Sequence, residues 1–144
     1  MDHFEKLQAM YAVAPINRFF RPALQIGHGE AEVRLTVRSD FHHSAGGMHG
    51  SVYFKALDDA TFFAAQSVEH EVFVLTAHFE IDLLKPVSKG EIQALARVTE
   101  DKVHRIIATG ELFDSTGEVV ARGLGRFARG KTRLSPEVGY RLPK

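Results

Sequence analysis

"HHSAGGMHGSVYFKALDDATFFAA", residues 42–65, decides the fold, because a glycine-rich first half leads into a run with helical periodicity. Apolar side chains recur in it at intervals of three and four residues: Met48, Val52, Ala56, Ala60 and Phe63. This spacing is typical of one face of an α-helix, and the alanines favour helix propagation. The pattern predicts one long helix from about His49 to Ser67.

Segments of alternating apolar and polar residues lie on both sides of this helix. Before it, "EAEVRLTVR" at residues 30–38 alternates strictly, as a strand with one solvated face does. After it, "VFVLTAHFEIDLL" at residues 72–84 has the same period, with Thr76 and His78 on its polar side. Three further strands are predicted at residues 91–100, 102–113 and 118–129, joined by turns near 100–101 and 114–117.

A short amphipathic helix is predicted at the N-terminus, from Asp2 to about Val13, where Pro15 would stop it. An antiparallel sheet of about five strands buries its apolar face best if it curls around the long helix. We therefore predict an α+β fold in a single domain, residues 1–144, with its core at about 17–129 and a loosely ordered tail at 130–144.

The composition excludes several classes of protein and of catalytic site. Lysine plus arginine equals aspartate plus glutamate at 18 each, so no global field attracts nucleic acid or an anionic membrane surface. The absence of cysteine excludes thiolate catalysis, disulfides and cysteine-type zinc sites. The N-terminal residues have no signal-peptide pattern, and no window approaches about 18 continuous apolar residues. We expect a cytoplasmic protein without a membrane span.

The start of the predicted long helix has the groups that polarise a carbonyl. The first N–H groups of a helix lack intrahelical partners, and Gly50 has no side chain in front of its amide. Asp58 follows eight residues later, about 12 Å along the axis, so the two residues of one helix cannot act on one atom. If both are catalytic, a second copy of the chain supplies one of them across a symmetric interface.

Simpler interpretations of the same residues are open at this point. Glycines before a helix are commonly turn residues, and Asp58 could form an ordinary exposed pair with Lys55. Phe54 and Phe62 lie on the same strip of the helix as Asp58 and favour its partial burial instead.

The sequence "GGMHGSVYFKALDDA" at residues 46–60, with the order of elements, resembles the hot-dog fold and, within it, the PaaI-like acyl-CoA thioesterases. The resemblance covers about residues 17–129. In that family an HGG sequence opens the central helix and the amide of its first glycine polarises the thioester carbonyl. An acid nine residues after the histidine is the catalytic carboxylate. The resemblance assigns these roles to Gly50 and Asp58, and not to Asp59.

Two positions depart from the family pattern. Ser51 replaces the second glycine of HGG, a mild change because a serine near a helix start can cap it. His43 stands where the family often has an asparagine that helps to hold the carbonyl or water. A Ser or Thr on the strand after the helix commonly positions the water, and Thr76 falls at that place. A strand-favouring threonine on the solvated face is the alternative.

The resemblance implies hydrolysis of acyl-CoA thioesters to a free acid and CoA. The Gly50 amide, with His43 or a water, would stabilise the oxyanion. Asp58 of the facing subunit would activate water or attack the carbonyl directly. Partial desolvation by Phe54 and Phe62 would raise the basicity of Asp58.

The resemblance also suggests contacts to the rest of the substrate. The acyl chain would lie between the long helices of two subunits and against Phe19 and Phe20, for which plain core packing is the alternative. Basic side chains for the phosphates of CoA gather on the last strand and its exit, at Arg122, Arg126, Arg129, Lys131 and Arg133. A solvated basic edge is their alternative. No cofactor is expected, since CoA is part of the substrate.

Two other functions are compatible with these residues, whereas a metal site is not favoured. The spacing of His42, His43 and His49 does not favour a metal site, and none is expected. A hot-dog hydratase or dehydratase would pair His49 with an acid, and a non-catalytic protein would bind acyl-CoA without turnover. We expect a homodimer that pairs further into a tetramer. The sequence does not determine the acyl group, the number of subunits or whether Asp58 is base or nucleophile.

Overall fold

The computed structural model of the protein describes residues 2–143. Its helices are α1 (Asp2–Val13), α2 (Asn17–Phe20) and α3 (Gly50–Ser67). Its strands are β1 (Ala23–Gly27), β2 (Glu30–Val37), β3 (Val72–Leu83), β4 (Gly90–Lys102), β5 (Arg105–Phe113) and β6 (Val119–Arg133). Single 3₁₀ turns follow β2 and β6, at Ser39–Phe41 and Pro136–Val138. Among the described helices, none is long and apolar enough to cross a bilayer.

One antiparallel sheet, in the strand order β1-β2-β4-β5-β6-β3, wraps around α3. The helix is almost completely enclosed, since Leu57, Ala60 and Ala64 have no exposed surface. Small residues dominate its inner positions, which lets the strands approach closely and bury a continuous core. The predicted α+β architecture, a sheet around one long helix with a short N-terminal helix, is confirmed.

The sheet has six strands, whereas the sequence predicts about five. The additional strand, β1, is five residues long and pairs only with β2. None of its residues is fully buried, so its sequence has no strong alternation. Gly29, with a φ of 73°, closes the hairpin into β2.

Strand β3 contains a bulge that reverses the predicted alternation of its side chains. Thr76 pairs with Phe127 and His78 pairs with Arg126, so Ala77 between them has no partner. Phe127 is completely buried, and residues opposite each other share a face, so Thr76 faces the core side of the sheet. The prediction that Thr76 and His78 share the solvated face is therefore wrong.

Of the later strands, β4 and β6 are longer than predicted, and β5 is shorter. β4 runs on to Lys102, and the turn into β5 lies at residues 103–104 instead of near 100–101. β6 continues to Arg133, past the predicted start of the tail.

The residues after β6 return to α1. The Tyr140 hydroxyl lies 2.6 Å from Nδ1 of His3, and a Cβ added at Gly139 would come within 2.8 Å of Val13. In place of the predicted loose tail, residues 136–140 therefore form a wall beside α1. Leu7, Met10 and Tyr11 are buried on the inner side of α1, as the helical spacing predicts.

Candidate active site

Asp58 lies in the third turn of α3, where its carboxylate faces β3. Its Oδ1 accepts a hydrogen bond of 2.8 Å from the Thr76 hydroxyl. The bulge at Ala77 lets Thr76 share the core side of the sheet with Phe79, because unbroken alternation counted back from Phe79 would direct Thr76 to the other side. The structure thus brings together two predicted site residues, Asp58 and Thr76.

The surroundings of Asp58 raise the pKa of its carboxyl group from 3.8 to about 6. Burial is the main cause, because a low-dielectric environment disfavours the charged form. The hydrogen bond from Thr76 opposes the shift, the negative charge of Asp59 adds to it, and Lys55 opposes it. At neutral pH the group is an ionised carboxylate with more basicity than an exposed one, which suits proton abstraction from water.

Asp58 opens into a cleft of about 730 Å³ between α1, α3, β3 and the C-terminal segment. The larger apolar and aromatic side chains of its lining include Met10, Tyr11, Val13, Ile16, Phe62, Phe63, Phe73, Leu75 and Val138. The Phe62 ring lies 5.0 Å from that of Phe63 and 5.3 Å from that of Phe73. A concave apolar site with a few polar groups at one position is the usual form of a small-molecule site.

The first turn of α3 forms a second group of predicted residues. His49 caps the helix, since its Nδ1 accepts a 3.0 Å hydrogen bond from the Ser51 amide. The Gly50 amide has no acceptor within residues 2–143. A Cβ at Gly50 would meet Leu83 at an ordinary 3.5 Å. An unpartnered amide at the positive end of a helix can donate to a developing oxyanion.

His43 lies in the loop that precedes α3. Its Nδ1 accepts a 3.1 Å hydrogen bond from the Ala45 amide, and its own amide donates to the Gly47 carbonyl. The loop is closed at its ends by a bridge between His42 and Met48. His43 is exposed near the helix start, in the same region as Gly50 and away from the cleft lining.

Within one chain, these two groups of residues are separate. Gly50 and Asp58 are eight residues apart on one straight helix, about 12 Å along its axis, and only Asp58 lines the cleft. A single protomer therefore places a carboxylate in one environment and a free amide in another.

Of the phenylalanines Phe62, Phe54 and Phe19, which are predicted to lie near Asp58 or the acyl chain, only Phe62 lines the cleft. Phe62 contributes to it, whereas Phe54 is 40% exposed and packs edge-on against Phe79. Phe19 is 48% exposed and packs with Phe20 and Phe41 outside the cleft lining.

The predicted basic residues differ in their availability. Arg129 is held by Glu69 at 2.7 Å, by Asp101 at 3.1 Å and by two backbone carbonyls, so its donors are occupied. Arg122 pairs with Glu111 at 3.2 Å. Arg126 is half-buried and has no hydrogen-bond partner in the described part of the chain.

The lysine that precedes Asp58 does not pair with it. Lys55 forms a 2.7 Å ion pair with Asp59 instead, one helical turn away. Asp59 also accepts a 2.5 Å hydrogen bond from the Tyr11 hydroxyl, a contact between α1 and α3 that is not among the predicted ones. The i,i+4 spacing of Lys55 and Asp59 was the available signal for the ion pair. The Tyr11 contact has no local signal.

A larger concavity, of about 970 Å³, lies on the face of the sheet away from α3. Its lining is strongly charged, with Glu32, Glu80, Asp82, Arg97 and Arg122 among it. Neither Asp58 nor Gly50 lines this concavity. The described residues also hold no cluster of three or more side chains suited to a metal ion.

The sequence model of the Thioesterase superfamily matches residues 45–121, which is more than half of the chain. The chain belongs to this superfamily. The match begins in the loop before α3 and includes both Gly50 and Asp58.

Solved structures of other proteins have the same fold. The PaaI protein from the phenylacetic acid degradation operon of E. coli superimposes with a TM-score of 0.84 at 20% identity, covering 93% of this chain and 97% of that one. A thioesterase family protein from Silicibacter pomeroyi gives a TM-score of 0.78 at 21% identity, covering 88% and 98%. The predicted hot-dog fold is confirmed.

A relative in Saccharolobus solfataricus, named "Putative esterase SSO2140", is 23% identical over 111 residues, 77% of this chain and 79% of the relative. The superfamily assignment and these matches support thioester hydrolysis as the general activity of the chain.

Proposed function

We propose that this thioesterase hydrolyses acyl-CoA to a free acid and CoA, with Asp58 as its catalytic carboxylate. The observation that carries the proposal is the position of Asp58: a carboxylate of raised pKa, hydrogen-bonded to Thr76, at the edge of an apolar cleft. The cleft volume of about 730 Å³ suits an apolar acyl group, and a thioester carbonyl at Asp58 would lie at its polar end.

The reaction needs one base and one oxyanion donor. In the general-base form, Asp58 accepts a proton from water while the water oxygen bonds to the thioester carbon. The Gly50 amide stabilises the oxyanion, which collapses, breaks the C–S bond and releases CoA thiolate, to which Asp58 returns the proton. In the nucleophilic form, Asp58 itself bonds to the carbon, the C–S bond breaks and CoA thiolate leaves. Water then cleaves the resulting anhydride to the free acid and the Asp58 carboxylate, and the proton released goes to the thiolate. Thr76 orients the carboxylate in both forms.

A second copy of the chain completes the site in this proposal. β3 is an edge strand of twelve residues that pairs only with β6 and exposes Leu75 and Leu83. Such an edge is a template for pairing with another strand. Thr76 contacts Asp58 in the first half of β3, and Leu83, its last residue, lies beside Gly50. Antiparallel pairing of two β3 strands that sets Thr76 of one copy opposite Leu83 of the other would bring Asp58 of each copy near Gly50 of the other.

The CoA moiety needs cationic contacts outside the apolar cleft. Among residues 2–143, the predicted basic side chains without a hydrogen-bond partner are those of Arg126, Lys131 and Arg133. Arg126 lies opposite His78 on the pair β3–β6, close to the proposed dimer edge. Arg129 is less suited, because Glu69 and Asp101 occupy its guanidinium. His43 and Ser51, at the exposed helix start, are in the region where the thioester carbonyl would approach Gly50.

The test is a thiol-release assay across aryl, short, medium and long acyl-CoA substrates. We expect the wild type to release thiol without added metal or cofactor, and Asp58→Ala to lose activity while keeping its fold and oligomeric state. Asp40→Ala is the matched control, because Asp40 is an exposed aspartate that does not line the cleft. Normal turnover by Asp58→Ala contradicts the assigned role. Addition of water to a crotonyl-type substrate, or binding without thiol release, would favour one of the two alternative functions.

A further inference from the structure

Beside Asp58, four side chains form a closed ring of hydrogen bonds between α1, α2 and α3. The Tyr11 hydroxyl donates to Oδ2 of Asp59 at 2.5 Å, and Lys55 Nζ donates to the same oxygen at 2.7 Å. Lys55 also donates to Oδ1 of Asn17 at 2.7 Å. The Asn17 amide group then donates to the backbone carbonyl of Tyr11 at 2.7 Å, which closes the ring.

The ring satisfies two buried charges. The Lys55 side chain is 11% exposed and that of Asp59 is 15% exposed. Burying an ion pair is unfavourable unless its remaining donors and acceptors are satisfied, and Asn17 and Tyr11 do this. The ammonium group of Lys55 also lies 5.3 Å from the centre of the Tyr11 ring and 5.2 Å from that of Phe20.

The ring lies in the wall of the candidate active site. Tyr11, Asn17, Lys55 and Asp59 all line the cleft that contains Asp58. α1 and α2 have few other polar connections to α3 in this region, and the neighbouring Val13 and Ile16 are 57% exposed. The polar ring therefore holds the N-terminal elements in place where apolar burial is incomplete.

We propose that this ring is a latch that fixes α1 and α2 as a wall of the acyl cleft, and that Asp59 is a positioning residue for the reaction at Asp58. The kinetic effects expected of the latch rest on the proposed acyl-CoA hydrolysis, whereas the latch itself is a property of the free protein. Asp59 does not contact the reacting atoms, because Tyr11 and Lys55 occupy its carboxylate.

Asp59 also acts on Asp58 through charge. The titratable groups that face Asp58 are Lys55 and Asp59 on α3, Tyr11 on α1, and Glu137 and Arg141 of the C-terminal segment. The described residues of β3 add the neutral Thr76 and no titratable group to this lining. Replacing Asp59 by asparagine removes a negative charge and leaves Lys55 uncompensated. Both changes lower the pKa of Asp58.

The decisive variants are Tyr11→Phe and Asp59→Asn, with Tyr53→Phe as the matched control. Tyr53 donates its hydroxyl to the Lys85 carbonyl at 2.8 Å, away from the cleft, so the control also loses one buried tyrosine hydrogen bond. Hydrogen exchange at the amides of residues 2–13 should accelerate in Tyr11→Phe about tenfold and stay at the wild-type rate in Tyr53→Phe.

The kinetic readouts separate positioning from a general loss of stability. For acyl-CoA substrates that fill the cleft, Tyr11→Phe should raise KM about tenfold with kcat changed less than about twofold. The activity should fall at acidic pH as Asp58 becomes protonated, which gives the pH profile an acidic limb. This limb should stay in place in Tyr11→Phe and should move to lower pH in Asp59→Asn.

Each outcome decides one proposal. If the wild type hydrolyses no acyl-CoA, the proposed function fails, and the exchange measurement still tests the latch. If the wild type is active and Tyr11→Phe has wild-type exchange and KM, the latch is wrong and the proposed function stands. An unmoved limb in Asp59→Asn contradicts the positioning role of Asp59.

Discussion

The first turn of α3 and its third turn belong to one helix, yet they have opposite surroundings. At the first turn, His49 and Ser51 are exposed, and the helix dipole and an unpartnered Gly50 amide supply positive polarity. At the third turn, Asp58 is half-buried in an apolar cleft with a raised pKa. In the proposed function, this one helix supplies both halves of the hydrolytic site without placing them together. The two halves meet only if two helices face each other.

The largest effect is expected from removing the Gly50 amide. Gly50→Pro deletes only the donor, since proline is favoured at the first helical position and the extended His49, with a ψ of 143°, tolerates a following proline. We expect thiol release to fall about 10²–10³-fold, the usual loss for one oxyanion donor. Gly50→Ala keeps the amide and makes only an ordinary 3.5 Å contact with Leu83, so it should stay near wild type. Equal activities of the two variants would exclude the amide from catalysis.

Mixed oligomers test directly whether the two turns cooperate across subunits. Gly50→Pro and Asp58→Asn are co-expressed with different tags, and the particles that carry both tags are isolated. A dimer of one copy each has one intact pair of groups, so about half of the wild-type activity per dimer should return. If the pure mixed particles are as inactive as the parents, Gly50 and Asp58 do not act on one substrate from different chains.

Thr76→Val tests the third turn alone, with a smaller expected effect. The variant keeps the shape of the side chain and loses the 2.8 Å bond to Asp58, which should lower kcat/KM about tenfold. That bond holds the pKa of Asp58 down, so its loss should move the acidic limb of the pH profile upward from about 6. Thr76→Ser retains the hydroxyl and should keep the limb in place. A profile of Thr76→Val identical to wild type would remove Thr76 from the site.

The smallest effect concerns stability. The folded-state pKa of Asp58 lies above its unfolded value of 3.8, so the folded protein binds this proton more tightly. The stabilisation that comes from binding this proton is fully present below about pH 4 and is lost as the pH rises through about 6. Asp58→Asn should therefore be more stable than wild type by about 1–2 kcal/mol at pH 7.5 in urea unfolding, with little difference at pH 4. A less stable Asn variant at pH 7.5 would contradict the burial of this charge.

Much of this architecture could be predicted from local sequence pattern. α1 ends at Val13 ahead of Pro15, and α3 ends at Ser67, both as predicted. The distance between Gly50 and Asp58 also follows from the sequence, because the rise of a helix is fixed. β1 could not be predicted, since a five-residue edge strand with no buried residue has no strong period.

The face of Thr76 could not be predicted for a different reason. A bulge changes the side of every residue beyond it, and its position depends on how β3 pairs with β6 and not on the residues of β3 alone. The network of Asp59 with Tyr11 and Asn17 joins residues about forty positions apart in the chain, so no short-range pattern indicates it.

The sequence by itself determined that a glycine amide and an aspartate stand at the first and third turns of one long helix. Helical periodicity and the residues that begin and end a helix are local properties of the sequence. The tertiary structure alone decided what surrounds each of them. The bulge in β3 directs Thr76 to Asp58, and the return of residues 136–140 to α1 encloses the cleft. Burial depends on which segments pack together, and it is burial that raises the pKa of Asp58.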